Sequence, residues 1–302
     1  MRLFQSLLLT LLLSSGSTVF AQMPDTDIWL FDITKNGDSI SFSNALNITN
    51  RPGYDNQPAF SPDGKRIIYS SYRDGQSDIY SYDIASHNTT AFCKTPESEY
   101  SPAFTPDGKY ISVVRVGKDS AQRLAKFPLK GGEAMPVFNP RYKMDSIAYY
   151  CWKDSTNLLV LLVATPEKLI YTNVHTIDPL IVAINSVGRT MVTDDAGINY
   201  IVSRTDSVWS LCKLMYLPTG ISIQFQVKCL KNVEDFAIYK DEVFICGKGS
   251  WLYSYDYSRP YKESEYEVQW TKQMNLAKFG LTNISRLTIS HDGKRIAVVN
   301  TK

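Results

Sequence analysis

Apolar and polar residues alternate along Asp78-Ile79-Tyr80-Ser81-Tyr82-Asp83-Ile84, which is the period of a half-buried β-strand. The same rhythm runs through Asp27-Ile28-Trp29-Leu30-Phe31-Asp32-Ile33 and Trp251-Leu252-Tyr253-Ser254-Tyr255-Asp256. Pro-Asp-Gly clusters punctuate the alternating runs. In such a cluster Pro sets φ, Asp bonds its own backbone and Gly takes the positive φ that closes a hairpin. Ala59 and Phe60 therefore end one strand, and Ile67, Ile68 and Tyr69 lead the next. Arg73-Asp74-Gly75-Gln76 turns the chain again, residues 78–84 form a third strand, and a fourth around 91–94 completes the unit.

The unit repeats. Gln57-Pro58-Ala59-Phe60-Ser61-Pro62-Asp63-Gly64-Lys65 returns 44 residues later as Ser101-Pro102-Ala103-Phe104-Thr105-Pro106-Asp107-Gly108-Lys109. A repeat of that length with several strands per copy is a propeller blade. Asp194-Asp195-Ala196-Gly197 is a degenerate turn of the same kind, and Gly197 lies 89 residues beyond Gly108, about two blade lengths. One divergent blade, over 146–184, is expected between them. Gly293 lies 96 residues further on and leaves room for another blade, with 251–256 as an outer strand.

The chain ends predict how the ring closes. Residues 27–33 match the third strand of a blade with no inner strands before it, while 287–299 supply two inner strands with no outer ones after them. Joined, they make one composite blade and leave no sheet edge unpaired there. The expected architecture is thus all-β, a six-bladed β-propeller closed by a composite blade from the N- and C-terminal strands. Without a 21-residue leader, 281 residues remain, about 47 per blade. Seven blades would need about 40 each, shorter than the 44-residue spacing. With 44% hydrophobic residues and 19 Tyr, the chain can fill an extensive core between blades. No linker-like or low-complexity segment divides 22–302, which reads as one domain.

Asn47-Ile48-Thr49-Asn50-Arg51-Pro52-Gly53, the Ser61-Pro62-Asp63-Gly64-Lys65 turn and Ser71-Tyr72-Arg73-Asp74-Gly75 together resemble the TolB-like, WD40-like propeller repeat. The resemblance is strong over 45–115, returns at the C-terminus and is weak over about 140–280. It covers the propeller alone, without the additional N-terminal domain of TolB and without the peptidase domain that often follows related propellers. It implies an exported ring that binds a protein or peptide at one face.

Met1-Arg2, the apolar run 7–13 and Val19-Phe20-Ala21 fit a secretory leader cut after Ala21, giving a periplasmic or secreted protein. The apolar run is too short to span a membrane. No Cys beside the cut supports lipid anchoring. A formal net charge of +2, with no Lys/Arg cluster, speaks against a nucleic-acid partner. The five cysteines contain no Cys-x-x-Cys. An oxidising compartment permits bridges among them, and an odd number leaves at least one unpaired unless it pairs between chains. For most of them a free thiol buried in a strand is the first reading. Asn47, Asn88 and Asn283 begin sequons, which say nothing further if the source is bacterial.

Chemistry is sparse. His87, His175 and His291 are the three histidines, none at metal-ligand spacing to another His or Cys. Neither a Gly-x-Ser-x-Gly elbow nor a phosphate-cradling loop occurs. No catalytic residue, metal or cofactor is therefore expected. Asp63, Asp107 and Asp292 read as turn residues, and Tyr80, Tyr82, Tyr253 and Tyr255 as packing between blades. The favoured function is a non-catalytic module binding a protein or peptide. The alternative is an enzyme or carbohydrate-binding protein, lactonase- or lyase-like, with a small-molecule or sugar site in the central cavity. Each blade's first strand leaves one mouth of the ring, so the segment before it and the loop between its second and third strands share that mouth. Loops on rigid scaffolds carry function. The candidate binding residues there are Tyr54, Asp55, Arg73, Glu99, Tyr100 and Arg115. Asp55 and Arg73 also read as a structural ion pair tying the loops of their blade.

Overall fold

Six antiparallel sheets of four strands each surround a central channel. The computed structural model describes residues 23–302 apart from 38, 143, 176–178, 185–186, 206–207, 241 and 258–269, so the leader expected over 1–21 lies outside the described residues. Blade 1 runs from the channel outwards as Asp55–Phe60, Arg66–Arg73, Gln76–Asp83 and Asn88–Cys93. Its fourth strand thus begins three residues before the expected 91. Blade 2 starts with Ser98–Phe104, blade 3 with Ile147–Trp152, blade 4 with Val187–Thr193 and blade 5 with Ala237–Tyr239. The divergent blade expected over 146–184 is blade 3, whose fourth strand is Leu180–Ile184. The turn at 194–197 joins the two inner strands of blade 4, and Trp251–Asp256 is the third strand of blade 5.

Blade 6 is composite. Ile284–Ile289 borders the channel, Arg295–Thr301 follows, and the N-terminal strands Thr26–Asn36 and Ser39–Asn47 complete the sheet. Thr26 pairs with Thr301 at one end of the join and Asp32 with Arg295 at the other. The Thr26 hydroxyl then ties this blade to blade 1, donating to Asp55 O at 2.9 Å and accepting from Asp55 N at 3.1 Å.

Three Asp-Gly turns show why the repeat has its letters. Ser61 Oγ donates to Asp63 Oδ1 at 2.6 Å, Thr105 Oγ1 to Asp107 Oδ1 at 2.6 Å, and Ser290 Oγ to Asp292 Oδ1 at 2.7 Å. The same oxygens accept the amides of Lys65, Lys109 and Lys294. Gly64, Gly108 and Gly293 take φ of +66°, +66° and +67°, a region glycine enters without steric cost. The Ser61 hydroxyl and Lys65 amide hold Asp63 below the usual carboxylate range. Burial raises Asp107 and Asp292, but their hydroxyl and amide donors outweigh it and both also lie low.

The core lies between blades rather than inside one layer. Ile28, Leu30 and Val299 of blade 6 pack on Ile67, Tyr69 and Tyr80 of blade 1. Ile68 and Ile79 of blade 1 meet Ile111, Val113 and Phe127 of blade 2 on the other side. Each sheet is thereby buried on both faces, which explains continuous apolar runs such as Leu158–Leu161 within the alternation. Tyr80 and Tyr82 are buried in these seams, and Tyr253 and Tyr255 pack against the seam of blades 4 and 5.

Candidate functional site

The inner strand of a blade presents alternate side chains to its two neighbours, so a regular strand does not aim polar groups down the axis. A bulge does. Five of the six inner strands shift register near their start, between Asn56 and Ala59, Tyr100 and Ala103, Ile147 and Tyr149, Val187 and Met191, and Ile284 and Arg286. At these irregularities Gln57, Ser101, Tyr149, Arg189 and Arg286 line a channel cavity of about 640 Å³. Asp235, just before the inner strand of blade 5, completes a ring of one residue per blade. Gln57 and Ser101 hold φ of +57° and +51°, unusual for residues with a Cβ. Their positions are fixed by mutual bonds, Gln57 Nε2 to Ser101 Oγ at 2.9 Å and Ser101 N to Gln57 Oε1 at 2.7 Å.

Two arginines reach across the ring. Arg286 of blade 6 donates to the Tyr149 hydroxyl of blade 3 at 3.1 Å, and its guanidinium carbon lies 5.2 Å from the centre of that ring. Blades 3 and 6 face each other in a ring of six, so this contact bars the channel. Arg189 of blade 4 donates to Ser285 O at 2.8 Å and stands 3.6 Å from Glu234 Oε1 and 3.8 Å from Asp235 Oδ2. Asp235 accepts from Thr190 Oγ1 at 2.8 Å and from Leu287 N at 3.0 Å. Burial pushes its carboxyl above the usual range against the pull of Arg286 and Arg189. At the Asp-Gly mouth His291 Nδ1 lies 3.0 Å from Asp195 Oδ1, and Lys153 Nζ donates to Gly197 O at 2.6 Å.

None of the six residues proposed from the sequence lines the cavity. Tyr54 and Tyr100 sit near it, since Tyr54 feels the charges of Arg286 and Arg189 and the phenols of Tyr149 and Tyr100. Burial first of all pushes the Tyr54 phenol up to about 12. Asp55 is buried, and its ion-pair partner is Arg51 at 3.0 Å, not the expected Arg73. Arg51 lies one turn earlier in the approach loop and also donates to Tyr72 O, which places its guanidinium over the carboxylate. Arg73 instead stacks 3.8 Å from the centre of the Tyr80 ring and donates to Ser71 Oγ, which in turn donates to Asp55 at 2.5 Å. In blade 2 the equivalent acid, Glu99, is buried, accepts Thr95 Oγ1 at 2.5 Å and lies 3.4 Å from Arg115, which also pairs with Glu97. Asp55, Glu99, Arg73 and Arg115 thus knit the loops of one mouth together.

Glu99 has a consequence for stability. Burial pushes its carboxyl up to about 7, above its unfolded value. Between those values the folded state holds the proton that the unfolded chain has released, so stability is greatest on the acid side and falls as pH rises towards 7. Glu99→Gln should remove that fall, on the order of 2 kcal/mol between pH 5 and pH 8. Urea unfolding at the two pH values measures it, and an unchanged slope in the variant would assign the effect elsewhere.

The channel ring carries a sequence signal that the turn-centred reading passed over. Gln57, Ser101 and Arg286 each stand seven residues before the glycine of an Asp-Gly turn. Among the described residues no group of three or more His, Cys, Asp or Glu is placed to hold a metal. All five cysteines are free thiols, Cys212 and Cys246 buried and the others half-buried.

Bulged inner strands around an axial channel, Asp-Gly turns at one mouth and a blade shared by both chain ends define a six-bladed propeller. The family model of the TolB beta propeller domain matches residues 19–157. Over that stretch, somewhat under half of its length, the chain is similar to the TolB-like propeller repeat family. The putative TolB from Agrobacterium tumefaciens superposes with a TM-score of 0.65 at 12% identity, over 92% of this chain and 99% of that one. A chain of the nidogen–laminin complex gives 0.60 at 11% identity, over 87% and 97%. An oligogalacturonate lyase in complex with manganese gives 0.51 at 14% identity, over 90% and 78%. Identities this low establish a shared fold. No curated protein matches the chain in sequence.

Proposed function

We propose that this protein is an exported, non-catalytic interaction module that binds a protein or peptide at the mouth where the inner strands begin. The observation that carries this reading is the gathering of Tyr54, Tyr100 and Tyr149 beside Arg189 and Arg286, contributed by five blades. Tyr and Arg dominate the hot spots of protein interfaces, and a closed ring presents them with little ordering cost. The leader over 1–21 supports export, with the mature domain over 22–302, and among the described residues no helix is long and apolar enough to cross a membrane.

The partner is to be captured from the exported fraction and titrated by calorimetry. Arg73→Ala and Tyr100→Ala should each weaken binding by about 2 kcal/mol, while Lys65→Ala at the opposite mouth should be near neutral. Because Arg73 also holds Ser71 and covers Tyr80, melting curves accompany the titrations. Lost stability with unchanged affinity would remove Arg73 from the binding face.

A second reading, a propeller enzyme or sugar-binding protein acting inside the ring, draws support from the 640 Å³ cavity and from the lyase that shares the fold. Elemental analysis and an esterase, peptidase, lactonase and lyase panel on the mature protein separate the two. One stoichiometric divalent ion on the axis, or turnover of any substrate, would favour the second.

A further inference from the structure

We propose that the channel is a binding site for a small carboxylate ligand, received by Arg286 with Arg189 at the inner end and admitted from the Asp-Gly mouth. This site shares Tyr149, Arg189 and Arg286 with the inner side of the partner face, but it opens towards the opposite mouth and is tested without a protein partner.

Charge at the inner end points to the ligand. Arg189 is balanced by Glu234 and Asp235. Asp235 in turn has a donor on each oxygen, Thr190 Oγ1 on one and Leu287 N on the other. Arg286 feels the charge of Asp235 but makes no direct ion pair: among the described residues no carboxylate lies within 4.0 Å of it, and it spends one N–H on the Tyr149 hydroxyl. Its remaining donors form the planar fork that a carboxylate fits with two parallel bonds. Arg189 Nε is also left without a hydrogen-bond acceptor. A guanidinium without a direct carboxylate contact suits a monoanion, whereas a phosphate dianion would be opposed more strongly by the adjacent Glu234 and Asp235.

Shape agrees. The cavity, about 640 Å³, is of the size that encloses small ligands. It reaches Pro62, Pro106 and His291 at the Asp-Gly turns but not Tyr54 or Tyr100 at the other mouth. The bar formed by Arg286 and Tyr149 is therefore its floor. Tyr149 fixes the guanidinium before any ligand arrives, so little ordering is left to binding.

A carboxylate of this kind belongs either to a peptide C-terminus or to an acidic sugar. Calorimetric titration of the mature protein with N-acetyl-trialanine against its C-terminal amide, and with diglucuronic acid against its methyl ester, distinguishes the sources. The acid form of one pair should bind about tenfold or more tightly than its neutral analogue, a difference that charge-assisted bonding to arginine supplies. Arg286→Gln should abolish that preference, Arg286→Lys should keep part of it, and Tyr100→Ala, outside the cavity, should leave it unchanged. Equal binding of acid and neutral forms, no binding of any probe at millimolar concentration, or an acid preference surviving Arg286→Gln would each overturn the proposal. Should Arg286→Gln not fold, the comparison of acid and neutral probes on the unaltered protein decides. Partner capture is read separately through the Tyr100→Ala variant, so either reading can fail alone.

Discussion

Deletion of residues 27–35 should unfold the entire ring, not one edge of it. That stretch forms most of the third strand of blade 6 and pairs with Arg295–Thr301 on one side and Ser39–Asn47 on the other. It buries Ile28, Leu30, Phe31 and Ile33 in the seams towards blades 1 and 5. At about 1.5–3 kcal/mol for each large apolar side chain, the loss rivals the whole stability of an ordinary domain. Circular dichroism and calorimetric melting of the mature and truncated proteins should show a cooperative transition only in the former. An unchanged midpoint would mean that five blades hold the ring without their closing strand.

Gly247→Val should destabilise the protein by about 3 kcal/mol, the upper part of the range for overpacked cores, with Gly247→Ala nearer the lower end. Gly247 lies in the second strand of blade 5, Val243–Lys248, where it pairs with Leu252. A Cβ there would stand 2.8 Å from Ile284 Cβ and overlap Ile284 Cγ2. Ile284 cannot retreat easily, because its amide donates to Gly249 O at 2.8 Å and anchors the inner strand of blade 6. The glycine is required for lack of room, not for its backbone angles. Ile284→Ala should recover part of the loss in a double-mutant cycle read by urea unfolding. A Gly247→Val midpoint equal to that of the unaltered protein would refute the close contact between blades 5 and 6.

The parts of the fold legible in the sequence are those set by neighbouring residues. Ser61-Pro62-Asp63-Gly64-Lys65 and its copies dictate a turn through bonds spanning only two to five residues, so the pattern of letters and the geometry coincide. Blade 3 lacks such a turn, yet its strands begin within one residue of the expected 146 and end at 184, because repeat length constrains what lies between two recognised turns. The partner of Asp55 was not legible in this way. Arg51 and Arg73 are both near in sequence, and only the path of the approach loop puts the first over the carboxylate while Tyr80 takes the second.

The sequence by itself determined the six-fold ring, its composite closing blade and the structural role of the turn aspartates, since each follows from period, turn chemistry and the unmatched strands at the chain ends. Tertiary structure alone decided the channel. Gln57, Ser101, Tyr149, Arg189, Asp235 and Arg286 are spread over 230 positions and face one another only because six inner strands meet at the axis and five of them bulge there. Side-chain direction at a bulge depends on how two strands slip past each other, and the contact between Arg286 and Tyr149 depends on two blades being opposite in a closed circle. Neither property belongs to a local stretch of residues: the seven-residue offset of Gln57, Ser101 and Arg286 from a turn glycine marks equivalent positions in three blades but not which side chains meet at the axis.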